Sequence, residues 1–240
     1  MDVLVFDNDL QSREVWGNLA AHASCNIRFE QVWNASDALS FEGLIVIDKS
    51  TLSDALVPQL EEAARRRPHQ LLTATGSDFS VSEVVSIMRA GIEFVFEKPL
   101  APRLNPLTFK AMIREATKRK EELEEYRKLT RLFRELTERE LDVLEFVLGG
   151  HPNKKAAEEL NVSVRTIEAR RAKVYHKTES SCVVELVRKV DRLTNLEHVF
   201  EPKTSPAQFP TAEGGQVNTA IPTRALGRSP KFLSRMSVLL

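Results

Sequence analysis

The sequence predicts two domains of different class: an α/β domain built on a five-stranded parallel sheet, then an all-α domain of short helices, joined by a long helix. Three observations predict it. Up to about residue 100, short apolar runs alternate with helical patterns, which is the pattern of a parallel sheet with helices on both faces. From Phe109 to Leu136 the chain holds no Gly or Pro and is rich in Lys, Arg, Glu and Leu. Beyond it come four short amphipathic segments separated by turn residues. Charge follows the same division. Residues 1–108 hold 9 Lys+Arg and 15 Asp+Glu, residues 109–135 hold 9 and 6, and residues 136–193 hold 11 and 10.

In the first part, Val3 to Phe6 is a continuous apolar run, as in a strand buried on both faces, and it ends in Asp7-Asn8-Asp9. A helical segment from about Leu10 to Ala21 leads to a second strand, Ile27 to Val32. Gly43 to Ile47 is β-branched and ends in Asp48. Leu56, Leu60, Ala63 and Ala64 recur at helical spacing, and Pro68 closes that helix. A fourth strand opens at Leu71-Leu72 and runs to Gly76. Val81 to Ala90 is helical, with Gly91 as its cap, and Phe94 to Phe96 is a fifth strand ending at Glu97-Lys98-Pro99.

In a parallel α/β sheet the functional crevice lies outside the carboxyl ends of the strands. Those ends carry Asp7, Asn8, Asp9, Asp48, Thr73 or Thr75, and Lys98. Acids from two strands, a hydroxyl from a third and a lysine from a fourth are the chemistry of a divalent-cation and phosphoryl site. These residues, in this order, resemble the receiver domain of two-component response regulators, a flavodoxin-like fold. The resemblance implies that Asp48 is the phospho-acceptor, that Asp7 and Asp48 hold Mg²⁺, that Thr73 is the switch hydroxyl with Thr75 the alternative, and that Lys98 contacts the phosphoryl group across a cis Lys98-Pro99 bond. It also implies a sensor histidine kinase as phosphodonor. The chain departs from the family at Asn8, where a second acid is usual. A neutral amide oxygen weakens a hard-cation site, so the expected Mg²⁺ site is weak.

The long helix carries Met112, Ala116, Arg119, Leu123, Tyr126, Thr130 and Phe133 at alternating spacings of four and three (a possible coiled-coil seam). After it, Thr137-Glu138-Arg139-Glu140 reads as a capping box. Leu141, Leu144, Val147 and Leu148 form one apolar face, and Gly149-Gly150 ends the helix. Asn153 is expected to cap the next helix, with Ala156, Ala157 and Leu160 inward. Asn161 stands where the turn needs a positive φ, and Val162 is expected to be buried. Ser163 caps a helix to Lys177 whose apolar side carries Ile167, Val174 and Tyr175. Its other side carries Arg165, Arg170, Arg171, Lys173 and Lys177. A last helix is expected from Cys182 to Leu193.

The runs LTERELDVLEFV, NKKAAEELNVSVRTIEARRAKV and ELVRKV resemble the four-helix DNA-binding domain of LuxR/FixJ-type regulators. The resemblance implies a helix-turn-helix that places Ser163 to Lys177 in the major groove of double-stranded DNA. Base edges then meet Glu168, Ala169 and Ala172. Arg165, Thr166, Arg170, Arg171, Lys173 and Lys177 hold phosphates, with Lys154 and Lys155 at the start of the preceding helix. It also implies a homodimer through the last helix.

The expected organisation is therefore 1–108 receiver-like, 109–135 last receiver helix and linker, 136–193 DNA-binding, and 194–240 a Pro-rich disordered tail. Cys25 and Cys182 show no metal or disulfide spacing. With no apolar run near 20 residues, a cytoplasmic protein without a membrane partner is expected. The function implied is a transcription regulator rather than an enzyme. The rival reading is a signalling adaptor with a phosphorylation-independent pseudo-receiver.

Overall fold

A computed structural model describes residues 1–32, 41–51, 58, 60, 61, 64 and 70–200, except the side chain of Pro102. The expected segments at Leu56, Ala63 and Pro68, and the chain from residue 201 on, lie outside the described residues. The chain divides into two compact units between Glu125 and Tyr126.

The first unit is a five-stranded parallel sheet in the order β2-β1-β3-β4-β5. Its elements are β1 (Asp2–Phe6), α1 (Leu10–His22), β2 (Asn26–Glu30), β3 (Leu44–Asp48), β4 (Leu71–Gly76), α2 (Val81–Arg89) and β5 (Phe94–Glu97). Every residue of β3 and β4 is buried; β3 is an unbroken apolar run up to Asp48, whereas β4 carries Thr73 and Thr75 inside. Alternate side chains feed two cores. Val3, Val5, Val46 and Leu71 pack with Trp16, Phe109 and Met112 on one face. Leu4, Phe6, Ile45 and Ile47 pack with Leu60 and Ile87 on the other. Gly91 takes φ +99° at the end of α2, a conformation that glycine adopts at little cost. The Lys98-Pro99 bond is cis. On α2, Ile87 is buried, Val84 is half-buried, and Val85 and Met88 are exposed.

The long helix α3 runs from Pro106 to Arg134, capped by Asn105, whose side chain accepts from the N–H groups of Leu107 and Thr108, each at 3.0 Å. The seam expected along it is not a free coiled-coil edge. Met112 and Ala116 are buried in the first unit's core, Phe133 is fully buried, and Arg119 is tied to Glu93, Glu115 and the Gln70 carbonyl. The 3-4 spacing arose from packing within the chain.

The second unit contains α4 (Glu138–Leu148), α5 (Asn153–Glu159), α6 (Val164–Lys177) and α7 (Val183–Phe200). The Glu140 carboxylate accepts from the Thr137 N–H at 2.9 Å, as the capping pattern requires. Asn153 proves to be the first residue inside α5, with Pro152 at the cap position. Asn161 adopts φ +51° in the turn, and Ser163 caps α6 by accepting from the Thr166 N–H at 3.1 Å. Val162 is only half-buried. The last helix runs to Phe200, beyond the Leu193 end expected for it, because Leu196 and Glu197 continue its buried side.

Candidate functional site

The carboxyl ends of the strands of the first unit bring Asp7, Asp48, Thr75 and Lys98 together. Lys98 Nζ lies 2.8 Å from Asp7 Oδ1 and 2.8 Å from Asp48 Oδ2, and 3.6 Å from Asp9 Oδ2. Asp7 and Asp48 are buried. Burial raises the Asp7 pKa above the ordinary carboxylate value, with the nearby Asp48 charge pushing the same way. For Lys98, burial alone would favour loss of its proton, but hydrogen bonds to Asp48 and Asp7 outweigh it and raise the pKa.

The site hydroxyl is Thr75, not Thr73. Parallel register sets Asp48 opposite Thr75, and Thr75 Oγ1 donates to Asp48 Oδ2 at 2.9 Å. Thr73 is one pleat deeper, opposite Val46, with a buried hydroxyl that has no hydrogen-bond partner among the described residues. Ser50 was not anticipated. Its N–H and its Oγ both donate to Asp48 Oδ1, at 3.0 and 2.5 Å. The Asp-x-Ser spacing, typical of an Asx turn, is the sequence signal that carried it. Lys49 leads away from the site: its Nζ reaches Glu83 Oε1 at 2.6 Å, over the ring of Phe79. This bond, with those to Ser80, lowers the pKa of the half-buried Glu83 to about 2.

These donors do not fit Mg²⁺, which demands about six oxygens in near-octahedral array. Asn8 gives its amide to the Gln31 carbonyl at 3.0 Å. Asp9 caps α1, accepting from the Gln11 N–H and the Ser12 hydroxyl, and the Ser12 bond leads in lowering its pKa. Both Asp48 oxygens are engaged, and the Lys98 ammonium bridges the two carboxylates. One buried oxygen, Asp7 Oδ2, has no hydrogen-bond partner among the described residues. Among the described residues no group of three or more His, Cys, Asp or Glu is disposed to hold a metal ion.

In the second unit, α6 buries Ile167 and Val174 on one side and exposes Arg165, Glu168, Ala169, Ala172 and Lys173 on the other. The three positions expected at base edges therefore share one open arc with two basic residues. Thr166 and Arg170 flank it, half-buried. Lys154 and Lys155 are exposed on α5, and Lys155 has a loose 3.9 Å pair with Glu159. Arg171 and Lys177 are engaged inside the unit. Arg171 donates to Asn153 Oδ1 at 2.6 Å and to the Tyr175 hydroxyl at 3.2 Å. Lys177 Nζ meets Glu140 Oε2 at 2.7 Å and the Glu135 carbonyl at 2.9 Å.

Residues 134–190, which hold this turn and exposed arc, match the sequence model of the bacterial regulatory proteins, luxR family. This segment is a LuxR-type helix-turn-helix domain. The wider chain is similar to response regulators. It is 28% identical to the response regulator protein TodT of Pseudomonas putida over 135 residues, covering 56% of this chain and 58% of that protein. The match thus spans little more than half of that relative. The transcriptional regulatory protein FixJ of Bradyrhizobium diazoefficiens is 27% identical over 197 residues, 78% of this chain and 92% of that one. Among solved structures, the response regulator StyR shares the fold with a TM-score of 0.66 at 22% identity, over 80% of this chain and 98% of that one. The first unit therefore has the receiver fold and the second the LuxR-type fold. Among the described residues, no helix is long and apolar enough to cross a membrane.

Proposed function

We propose that the protein is a DNA-binding transcription regulator of response-regulator type, in which the receiver-like unit controls dimerisation and operator binding. The exposed arc of α6 carries this reading, because it lies on the second helix of a LuxR-type helix-turn-helix. In the major groove, Glu168 accepts from a cytosine amino group, and the Ala169 and Ala172 methyls meet thymine methyls. Arg165, Thr166, Arg170 and Lys173, with Lys154 and Lys155, hold phosphates and set register. Val183 and Val184 on α7 are 40% and 55% exposed and offer apolar surface for a second copy. A two-fold dimer would read a near-palindromic site.

The receiver-like unit works in this reading without metal-assisted phosphorylation of Asp48. The Asp7–Lys98–Asp48 bridge supports this, together with a neutral Asn8 where a second acid is usual and an Asp9 carboxylate engaged in capping α1. A histidine kinase is then not a required partner. Incubation with a small phosphodonor and Mg²⁺ should leave no acid-labile phosphate on Asp48, and label there would overturn this part. For the DNA reading, the full chain should enrich one sequence from a randomised duplex pool. Failure to retain any duplex would end it and leave a signalling adaptor acting through protein contacts.

A further inference from the structure

We infer that Lys177 and Arg171 are positioning residues that fix the seat of the reading helix, and that phosphate contact falls to the other basic residues of α6. This rests on the DNA-binding reading and divides its five cations into two groups.

Lys177 is the last residue of α6. Its ammonium holds two groups. It pairs with the Glu140 carboxylate at 2.7 Å, and that carboxylate also accepts from the Thr137 N–H at 2.9 Å, ahead of α4. It donates to the carbonyl of Glu135, the residue that follows the end of α3, at 2.9 Å. The Glu140 side chain is 6% exposed. Swinging Lys177 out to a DNA phosphate would leave a buried carboxylate without its counter-charge, which is strongly unfavourable. Burial opposes ionisation of Glu140, but the Lys177 and Thr137 bonds prevail and lower its pKa.

Arg171 does the same half-way along the helix. Its fork reaches Asn153 Oδ1 at 2.6 Å on the first residue of α5, and its guanidinium carbon lies 6.0 Å from the Tyr175 ring centroid. So α6 is tied to the preceding helix at its middle and to the α3–α4 junction at its end. By contrast, Arg165, Arg170 and Lys173 have no side-chain hydrogen bond or ion pair among the described residues, and they remain available to an external anion. A base-reading helix needs its pitch fixed, because side chains reach base edges only from one seating in the groove.

Two quantities separate a strut from a phosphate contact. A phosphate contact contributes about 0.9 to the slope of log affinity against log salt and acts alike on all sequences. A strut leaves that slope alone and lowers the preference for the selected sequence over a mixed one. The full chain is measured by mobility shift on a duplex selected from a randomised pool and on a mixed-sequence duplex, across a salt series.

Lys177→Met and Arg171→Met should each reduce the selected-to-mixed affinity ratio by roughly tenfold with an unchanged slope. Lys177→Arg should restore most of the ratio. Arg165→Ala and Lys173→Ala should lower the slope and leave the ratio nearly unchanged. If Lys177→Met destabilises the fold, Glu140→Gln, which keeps the shape and removes the counter-charge, gives the same readout. A slope lowered by about 0.9 in the Lys177 or Arg171 variant overturns the inference, as does an unchanged ratio. Wild-type protein that binds neither duplex overturns instead the DNA reading beneath it.

Discussion

Replacing Lys98 with methionine removes one ammonium from between two buried carboxylates. Its Nζ is 2.8 Å from Asp7 Oδ1 and 2.8 Å from Asp48 Oδ2, and its side chain is 11% exposed. At an effective dielectric of ~20, each contact amounts to about 6 kcal/mol of gross attraction. Desolvation of the three ions and repulsion between the carboxylates cancel much of that. Truncating one member of a buried pair costs about 3–5 kcal/mol, because the remaining charge is uncompensated. The loss should depend on pH in a fixed direction. The folded Asp7 pKa is raised above its ordinary value of 3.8, burial being the leading cause. Folding therefore favours the neutral acid, and the penalty of the bare carboxylate is fully present above the folded pKa. It fades as pH falls through that raised value towards the unfolded one. Urea unfolding followed by tryptophan fluorescence is the assay, since Trp16 is fully buried in this unit. Lys98→Met should lose about 3–5 kcal/mol at pH 7 and less at pH 5, and adding Asp7→Asn should recover a large part. A loss below about 1 kcal/mol, or one that Asp7→Asn does not reduce, would refute the internal-cation argument.

Other outcomes follow from single features. Glu168→Ala should change which sequence the protein selects from a randomised pool, seen as relaxed choice at one cytosine per half-site, with little change in salt slope. Asn161→Val should destabilise the second unit by about 1–2 kcal/mol, because a β-branched side chain clashes at φ +51°, whereas Asn161→Gly should be tolerated. Ser163→Ala should cost about 1 kcal/mol in thermal or urea unfolding through loss of the α6 cap. Glu140 has a folded pKa below its unfolded value, so its stabilisation is complete above the unfolded pKa and is lost as pH falls through the folded one. Acid unfolding of Glu140→Gln should accordingly show a shallower pH dependence than wild type in the carboxylate range.

The local pattern was legible because it repeats at short range. Parallel strands buried on both faces appear as unbroken apolar runs, and caps such as Ser163 and Glu140 act over three residues. The left-handed Asn161 and the cis Lys98-Pro99 bond also stood where turn chemistry and the family order put them. The same holds for the open arc of α6, since 3.6-residue periodicity alone separates Glu168, Ala169 and Ala172 from Ile167 and Val174.

What only the tertiary structure decided is which polar groups are already spoken for. Thr73 and Thr75 both sit on a buried strand and point to the same face, and the choice between them depends on the register of β3 against β4. Five cations on one helix look equivalent in sequence, yet partners 18 and 37 residues away from Arg171 and Lys177 take two of them inward. Likewise the seam on α3 resembled a coiled coil until Met112 and Ala116 met the sheet. Sequence therefore determined the elements, the helix faces and the residue types at each strand end. Long-range packing determined how the charges pair, because a buried ion pair forms only where the folded chain brings its members within a few ångströms.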